Sequence, residues 1–461
     1  MTAADVLAPD TMYLDSPGAP DAGDYGYAER INPGRSRLLS YLFMGLAHVT
    51  VLKERVKGIL FMLVELAFLA FLPRIYAGIR NLITLGFPRP DLPITQRPNS
   101  LFMMIDGIML ATIVLIFLAV YAMSIRSART TTMEVNARGW PDAHHRKLGY
   151  MADRAFPVIG LAPTFILIAF FVVVPLVFSA AVAFTNYSAP MNIPPGNTID
   201  WVGLENFRRL FGGNLLWTGA VGRVFLWTIT WAFLATTTTY IGGMLMAVVL
   251  QNSKLKITPI FRGIFILPYA ILGVVSLLVW RNMLNGAFGT FNRTLSALGI
   301  TDTAIPWLTS PGLARLVMVM INLWVGFPYF MLLITGAMTS IPADQMEAAK
   351  MDGATDWQVF RRIQLPQILF QTMPLVIMSF AHNINNFGAV FFLTGGGPNM
   401  PDSTTTSAGA TDIMVSWIFN LTVNLQQFHN ASVLAIMVFL LIAPFAIYNF
   451  RRTKSFKEGE L

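Results

Sequence analysis

Long apolar runs separated by short polar islands dominate the chain. A helix needs about 20 predominantly apolar residues to cross a bilayer, since each residue advances it by only about 1.5 Å. Eight segments meet that need, at roughly 58–79, 101–124, 156–184, 224–250, 258–280, 313–336, 368–394 and 430–450. Leu38–Val51, between Arg37 and Lys53, is apolar but shorter, and predicts an interfacial or re-entrant helix. The pattern predicts an all-α integral membrane protein with about eight transmembrane helices.

Charge placement turns those segments into a topology. With a cytoplasmic N-terminus and eight spans, every inner segment is basic: Arg30 to Lys57, Arg126 to Arg154, Lys254 to Arg262, Lys350 to Arg362, and Arg451 to Lys457. These hold 22 of the 32 lysines and arginines, the bias that the positive-inside rule requires. Both termini are therefore expected on the cytoplasmic side. Composition agrees, with 55% hydrophobic and only 12% charged residues. The net charge of +8 lies beside apolar spans, which reads as topology rather than as a nucleic-acid surface. There are no cysteines, so disulfides and thiolate chemistry are excluded. Residues 1–29 are polar and acidic and lack the apolar core of a cleavable signal. Four regions are expected: a disordered cytoplasmic tail at 1–35; an interfacial helix, two spans and a basic loop at 36–154; a transmembrane core at 155–455; and a cytoplasmic tail at 456–461.

The segment between spans six and seven, Ser340 to Pro366, carries the strongest chemistry. Pro342 suits a first helical position and Gly353 the left-handed residue after a helix end, with Ala348 and Ala349 forming a small-residue surface between them. Thr355 or Asp356 can cap a second short helix, with Trp357, Phe360 and Ile363 on one face and Pro366 ending it. Two helices at a glycine bend make a knob that can enter a partner's cleft.

Glu347-Ala348-Ala349, then Gly353, then Ile363, Leu365 and Pro366 resemble the EAA signature of ABC-importer permeases at all seven defined positions. The flanking Asp352, Ala354 and Trp357 are similar to sugar-importer versions. The resemblance implies a coupling loop at 340–366 seated on an ATPase subunit, with Glu347 as the ionic contact and Gly353 as the bend. It also implies a permease of the bacterial cytoplasmic membrane, with the type I importer core and no enzyme activity of its own. Its partners would be two ATPase subunits, a second permease subunit or a second copy of this one, and an extracytoplasmic solute-binding protein. ATP and Mg²⁺ would belong to the ATPase chains: this sequence has no Gly-Lys dipeptide, hence no phosphate-cradling loop.

A second cluster points to the cargo. Asn383, Asn385 and Asn386 interrupt the seventh apolar segment, where an unpaired amide in lipid is costly. Facing a cavity they could bind sugar hydroxyls, with Phe387 stacking on a pyranose ring; facing other helices they would be hydrogen-bonding glue. Asn385-Asn386-Phe387 with Leu393 to Pro398, and Trp201 to Phe207, resemble the F-type permeases of maltose and maltodextrin importers. That resemblance covers roughly residues 155–455 and adds Asn322, Tyr329, Trp417 and Asn420 as cavity candidates. The outer loop at 185–223 lacks the large domain of the best-studied members, so the identity of the sugar is left open. The competing expectation is an ion-coupled secondary transporter, which would show repeated halves and midplane ion sites. A membrane enzyme would need converging titratable groups; Glu65 and Asp106 are read instead as paired with each other or with Arg74, and His382 as no metal ligand.

Overall fold

The computed structural model describes residues 30–140, 160–253 and 257–450. The acidic tail before residue 30, the His144–His145 loop, Lys254, Lys256 and the basic C-terminal tail lie outside the described residues. Helices form the framework: α1 Pro33–Leu42, α2 Leu46–Thr50, α3 Arg55–Thr84, α4 Ser100–Arg138 and α5 Gly160–Val182. They continue as α6 Leu215–Asn252, α7 Thr258–Ala270, α8 Gly273–Met283, α9 Thr290–Ala297, α10 Pro311–Thr339 and α11 Ala343–Met351. The last are α12 Asp356–Ile384, α13 Phe387–Leu393, α14 Met414–Phe419 and α15 Phe428–Phe450. Between α5 and α6 two isolated β-bridges, Thr185 to Trp201 and Ser188 to Asn192, fasten the outer loop.

Each of the eight expected spans is helical over most of its described residues, yet the count of eight is not reached. Among the described residues six helices are long and apolar enough to cross a membrane, or seven if one bent pair is a single span. That pair is α7 and α8, which meet at 88° because Ile271 and Leu272 are extended. In the eighth segment the apolar part, Phe428–Pro444, is shorter than a full span. The seventh segment also differs: α12 starts at Asp356 and ends at Ile384, ahead of the expected end at 394. There Asn385 closes the helix through its N–H on the His382 carbonyl, and the Asn386 side chain accepts from the Ala389 N–H to cap α13. Polar amides in the run supply the caps that a break needs.

The fold divides into two compact units. The first comprises residues 1–87 and 99–178; the second comprises 88–98 and 179–461. In the first unit α3 and α4 approach closely through glycines: a Cβ on Gly107 would stand 2.9 Å from the Gly78 carbonyl oxygen. Phe68 stacks on Phe117 at 3.8 Å, and Arg74 pairs with Asp106 at 2.8 Å, as the sequence suggests. Glu65 takes another partner, accepting from the Met44 N–H at the turn between α1 and α2. Pro33–Arg35, expected with the disordered tail, open α1, because Asn32 caps the Gly34 and Arg35 N–H groups.

The second unit is built on α6, α10 and α12. Gly243 of α6 lies against α10, where a Cβ would come within 2.6 Å of Phe330 Cβ. Tyr240 and Thr372 share a hydroxyl hydrogen bond of 2.8 Å between α6 and α12. Around these contacts Trp231, Phe330, Met331, Ile334 and Ile368 are fully or almost fully buried. Large apolar side chains on the outside, including Phe71, Phe102, Phe171 and Leu226, are exposed, as suits a protein whose surroundings are lipid.

Candidate functional site

The knob forms as expected, with its details rearranged. Pro342 is the N-cap of α11 rather than its first residue. At the other end Gly353 adopts φ +85°, a conformation that favours glycine, and the Gly353 and Ala354 N–H groups bond the Lys350 and Ala349 carbonyls at 3.0 Å. Thr355 then caps α12 reciprocally with Gln358. Pro366 does not end this helix. A π turn at Phe360–Gln364 widens the backbone just ahead of it, so the proline ring is accommodated and α12 runs on to Ile384. Gln367 to Gln345 at 3.0 Å and Gln364 to Met346 Sδ at 3.0 Å tie α12 back to α11.

The outer surface of the knob is uncovered. Glu347, Ala348, Asp352, Gly353 and Pro366 are exposed, and Ala349, Ala354, Ile363 and Leu365 are half-buried. Trp357 is 64% exposed, leaning on Phe360 with ring centres 5.6 Å apart. Lys350 pairs with Asp356 at 3.0 Å, whereas Glu347 makes no ion pair among the described residues. The knob thus presents an exposed aromatic ring and a carboxylate without an ion-pair partner among the described residues.

The second feature is a cavity of ≈ 310 Å³ where α8, α10 and α13 converge. Asn322 and Asn386 supply its polar side chains; Met318, Val325, Phe392 and Leu393 are among its apolar ones, and no charged residue lines it. The other candidates lie elsewhere. Asn383 is buried, donating to Thr236 Oγ1 at 3.0 Å, while its backbone carbonyl accepts from Trp231 Nε1 at 3.1 Å. Asn385 is exposed at the helix break. Phe387 packs on Phe391 and Phe419, both at 4.8 Å. Tyr329 leans on Phe330 at 5.1 Å with Tyr269 at 6.2 Å. Trp417 is fully buried, stacked on Trp217 at 5.9 Å and donating to the Thr406 carbonyl at 2.8 Å, and Asn420 donates to the Ser407 carbonyl at 3.1 Å.

Sequence reasoning missed a charged clamp in the same unit. Arg223 Nη2 lies 2.8 Å from both carboxylate oxygens of Asp402, and Nη1 donates to the Gly409 carbonyl at 2.8 Å. Arg315 stacks on Trp227 at 4.5 Å and donates to the Ala410 carbonyl at 2.8 Å. In the same loop Asp412 is buried, accepting from the Gly409 N–H and Ser416 Oγ, with Gly396 so close that a Cβ there would strike its carboxylate. Burial pushes the Asp412 carboxyl above its usual range, against the opposing pull of Ser416, the Gly409 N–H and Arg223. Two arginines inside or beside apolar runs were the available signal.

The family model described as "binding-protein-dependent transport system inner membrane component" matches residues 239–453. The galactooligosaccharides transport system permease protein GanP of Bacillus subtilis is 34% identical over 407 residues, covering 88% of this chain and 94% of that protein. The chain belongs to this permease family. A second relative, the maltodextrin transport system permease protein MalC of Streptococcus pneumoniae, is 33% identical over 438 residues, 93% of this chain and 98% of its own length. The crystal structure of a bacterial alginate ABC transporter, in complex with an alginate pentasaccharide-bound periplasmic protein, contains a chain of the same fold. Its TM-score is 0.53 at 20% identity, covering 66% of this chain and 97% of that one. The match to the permease family includes the knob and both cavity asparagines, Asn322 and Asn386.

Proposed function

We propose that this permease carries a neutral oligosaccharide inward across the bacterial cytoplasmic membrane, driven by ATP hydrolysis in separate subunits. The observation that carries the proposal is the course of α12. It opens in the exposed knob at Asp356 and ends at Ile384, two residues before the cavity-lining Asn386. At about 1.5 Å per residue it is a rod of roughly 40 Å, long enough to link the inner face to the cavity. A partner that pushes the knob therefore acts on the cavity wall through the short break at Asn385 that joins α12 to α13.

In this reading Glu347, Trp357 and the Gly353 bend dock on an ATPase subunit, which supplies ATP and Mg²⁺ chemistry; this chain supplies the path and the lever. A second permease subunit completes the pathway, and an extracytoplasmic binding protein delivers the cargo. If the α7–α8 pair and α15 each cross once, both termini and the knob face the cytoplasm, beside the ATPases. Two amides in a cavity free of charged side chains suit the hydroxyls of a neutral sugar. The two relatives named for galactooligosaccharides and maltodextrin support that class. Which sugar is carried is tested by uptake in proteoliposomes holding the assembled complex and its binding protein, across a panel of neutral and acidic oligosaccharides. Preference for a neutral one supports the proposal. Uptake driven by an ion gradient without ATP would refute it.

A further inference from the structure

The first unit carries a helix built inside out. In α1 the small hydroxyls point inward: Ser36 and Ser40 are buried, Ser36 Oγ meets Thr132 Oγ1 of α4 at 2.8 Å, and Ser40 Oγ donates to the Ser36 carbonyl. Leu39 packs half-buried on the core, but two large apolar side chains point outward: Leu38 is 64% exposed and Leu42 69%. A helix in water buries leucines and exposes serines, so this one has a non-aqueous neighbour on its outer face.

Its contacts fix its level along α4. Ile31 exchanges hydrogen bonds with the Asn136 side chain, Ser36 meets Thr132, and the Tyr41 carbonyl accepts from Tyr121 at 2.8 Å. The N-terminal, arginine-bearing part of α1 thus lies beside the charged end of α4, and its apolar end beside the apolar part. Arg30, Arg35, Arg37, Arg55, Arg126 and Arg129 are all exposed and make no ion pair among the described residues. The acidic side chains nearby are engaged or partly buried: Glu54 is held by Lys57 at 3.4 Å, Glu65 accepts from the Met44 N–H, and Glu134 is half-buried. Arg37 also lies over the Tyr41 ring at 5.7 Å, an aromatic–cation pair typical of a headgroup boundary.

We propose that α1 and the adjoining arginines form a binding surface for anionic phospholipid headgroups, with Leu38, Tyr41 and Leu42 set against the acyl chains. Guanidinium forks bind the phosphate while the apolar side chains anchor the helix at the boundary. Its residues belong to the first unit and those of the cavity and the knob to the second, so it can be tested apart from transport.

The experiment is native mass spectrometry of the full chain, purified in mild detergent and presented with equal phosphatidylglycerol and phosphatidylcholine. The wild type retains phosphatidylglycerol in preference. Arg35→Gln with Arg37→Gln lowers that preference about tenfold or more, since each surface cation contributes on the order of 1 kcal/mol. Arg35→Lys with Arg37→Lys keeps most of it, which shows that lost charge rather than lost fold is responsible. Equal retention of the two lipids by the wild type, an unchanged preference in the glutamine pair, or displacement of the lipid by inorganic phosphate at millimolar concentration would each overturn the proposal.

Discussion

Asn383 of α12 donates its side-chain amide to Thr236 Oγ1 of α6 at 3.0 Å, in a site where both side chains are buried. Three positions later, Asn386 caps α13 and lines the cavity. Two amides of one cluster therefore do different things. Asn386 also donates its amide to Asn383 Oδ1 at 3.4 Å, so Asn383→Ala leaves both Thr236 and Asn386 short of a partner and should destabilise the fold by about 1–3 kcal/mol. Thermal unfolding in detergent checks this, with Thr236→Ala completing a double-mutant cycle that should show coupling. Independent, additive effects would show that the bond contributes nothing.

The cavity asparagines should behave differently. Asn322→Ala is expected to lower sugar uptake several-fold while leaving assembly and melting temperature nearly unchanged. Filling the space gives a second handle, because a Cβ at Gly388 meets only Phe392 at 3.8 Å. Gly388→Leu should block uptake without unfolding the protein. Normal uptake by that variant would place the cargo elsewhere.

Arg223 and Asp402 are mostly buried, with side chains 20% and 17% exposed. Removing one partner strands a charge, so Arg223→Ala or Asp402→Ala should cost about 2–4 kcal/mol. Replacing the pair by Met and Leu should cost much less than either single change. Limited proteolysis reads the outcome, because losing the clamp frees the loop that carries Gly409 and Ala410.

In the first unit His48 is fully buried, with Nε2 3.2 Å from Ser127 Oγ. Burial, helped by Lys57, lowers its pKa to about 4. The folded state therefore holds the neutral ring, whereas the unfolded chain takes a proton near pH 6.5. Stability from this group is present above pH 6.5 and is lost as pH falls toward 4. His48→Gln should flatten that part of the stability profile, measured by hydrogen exchange of α2. An unchanged slope would mean that other groups carry it.

Much of this was legible in the chain. Hydropathy located all eight helical segments, and the Ala348–Gly353 pattern located the knob, because both are local properties of sequence. The 88° bend between α7 and α8 was hidden, since the apolar run continues through Ile271 and Leu272 while only the backbone changes. Pro366 misled in the opposite direction, because the π turn that accommodates it has no side-chain signature. The asparagines look alike in sequence, and only the third dimension separates a buried tie from a cavity wall. Trp417 is a core residue for the same reason: its indole N–H is satisfied by Thr406, a partner set by folding.

The proposed function rests on α12 transmitting force from the knob to the cavity. Its most direct test is ATP-driven uptake in proteoliposomes by the complex carrying Glu347→Ala together with Gly353→Pro, alongside a pull-down of the ATPase subunit. The account predicts that the variant inserts and melts as the wild type does, but loses both ATPase association and uptake. Wild-type uptake with the ATPase still bound would contradict it.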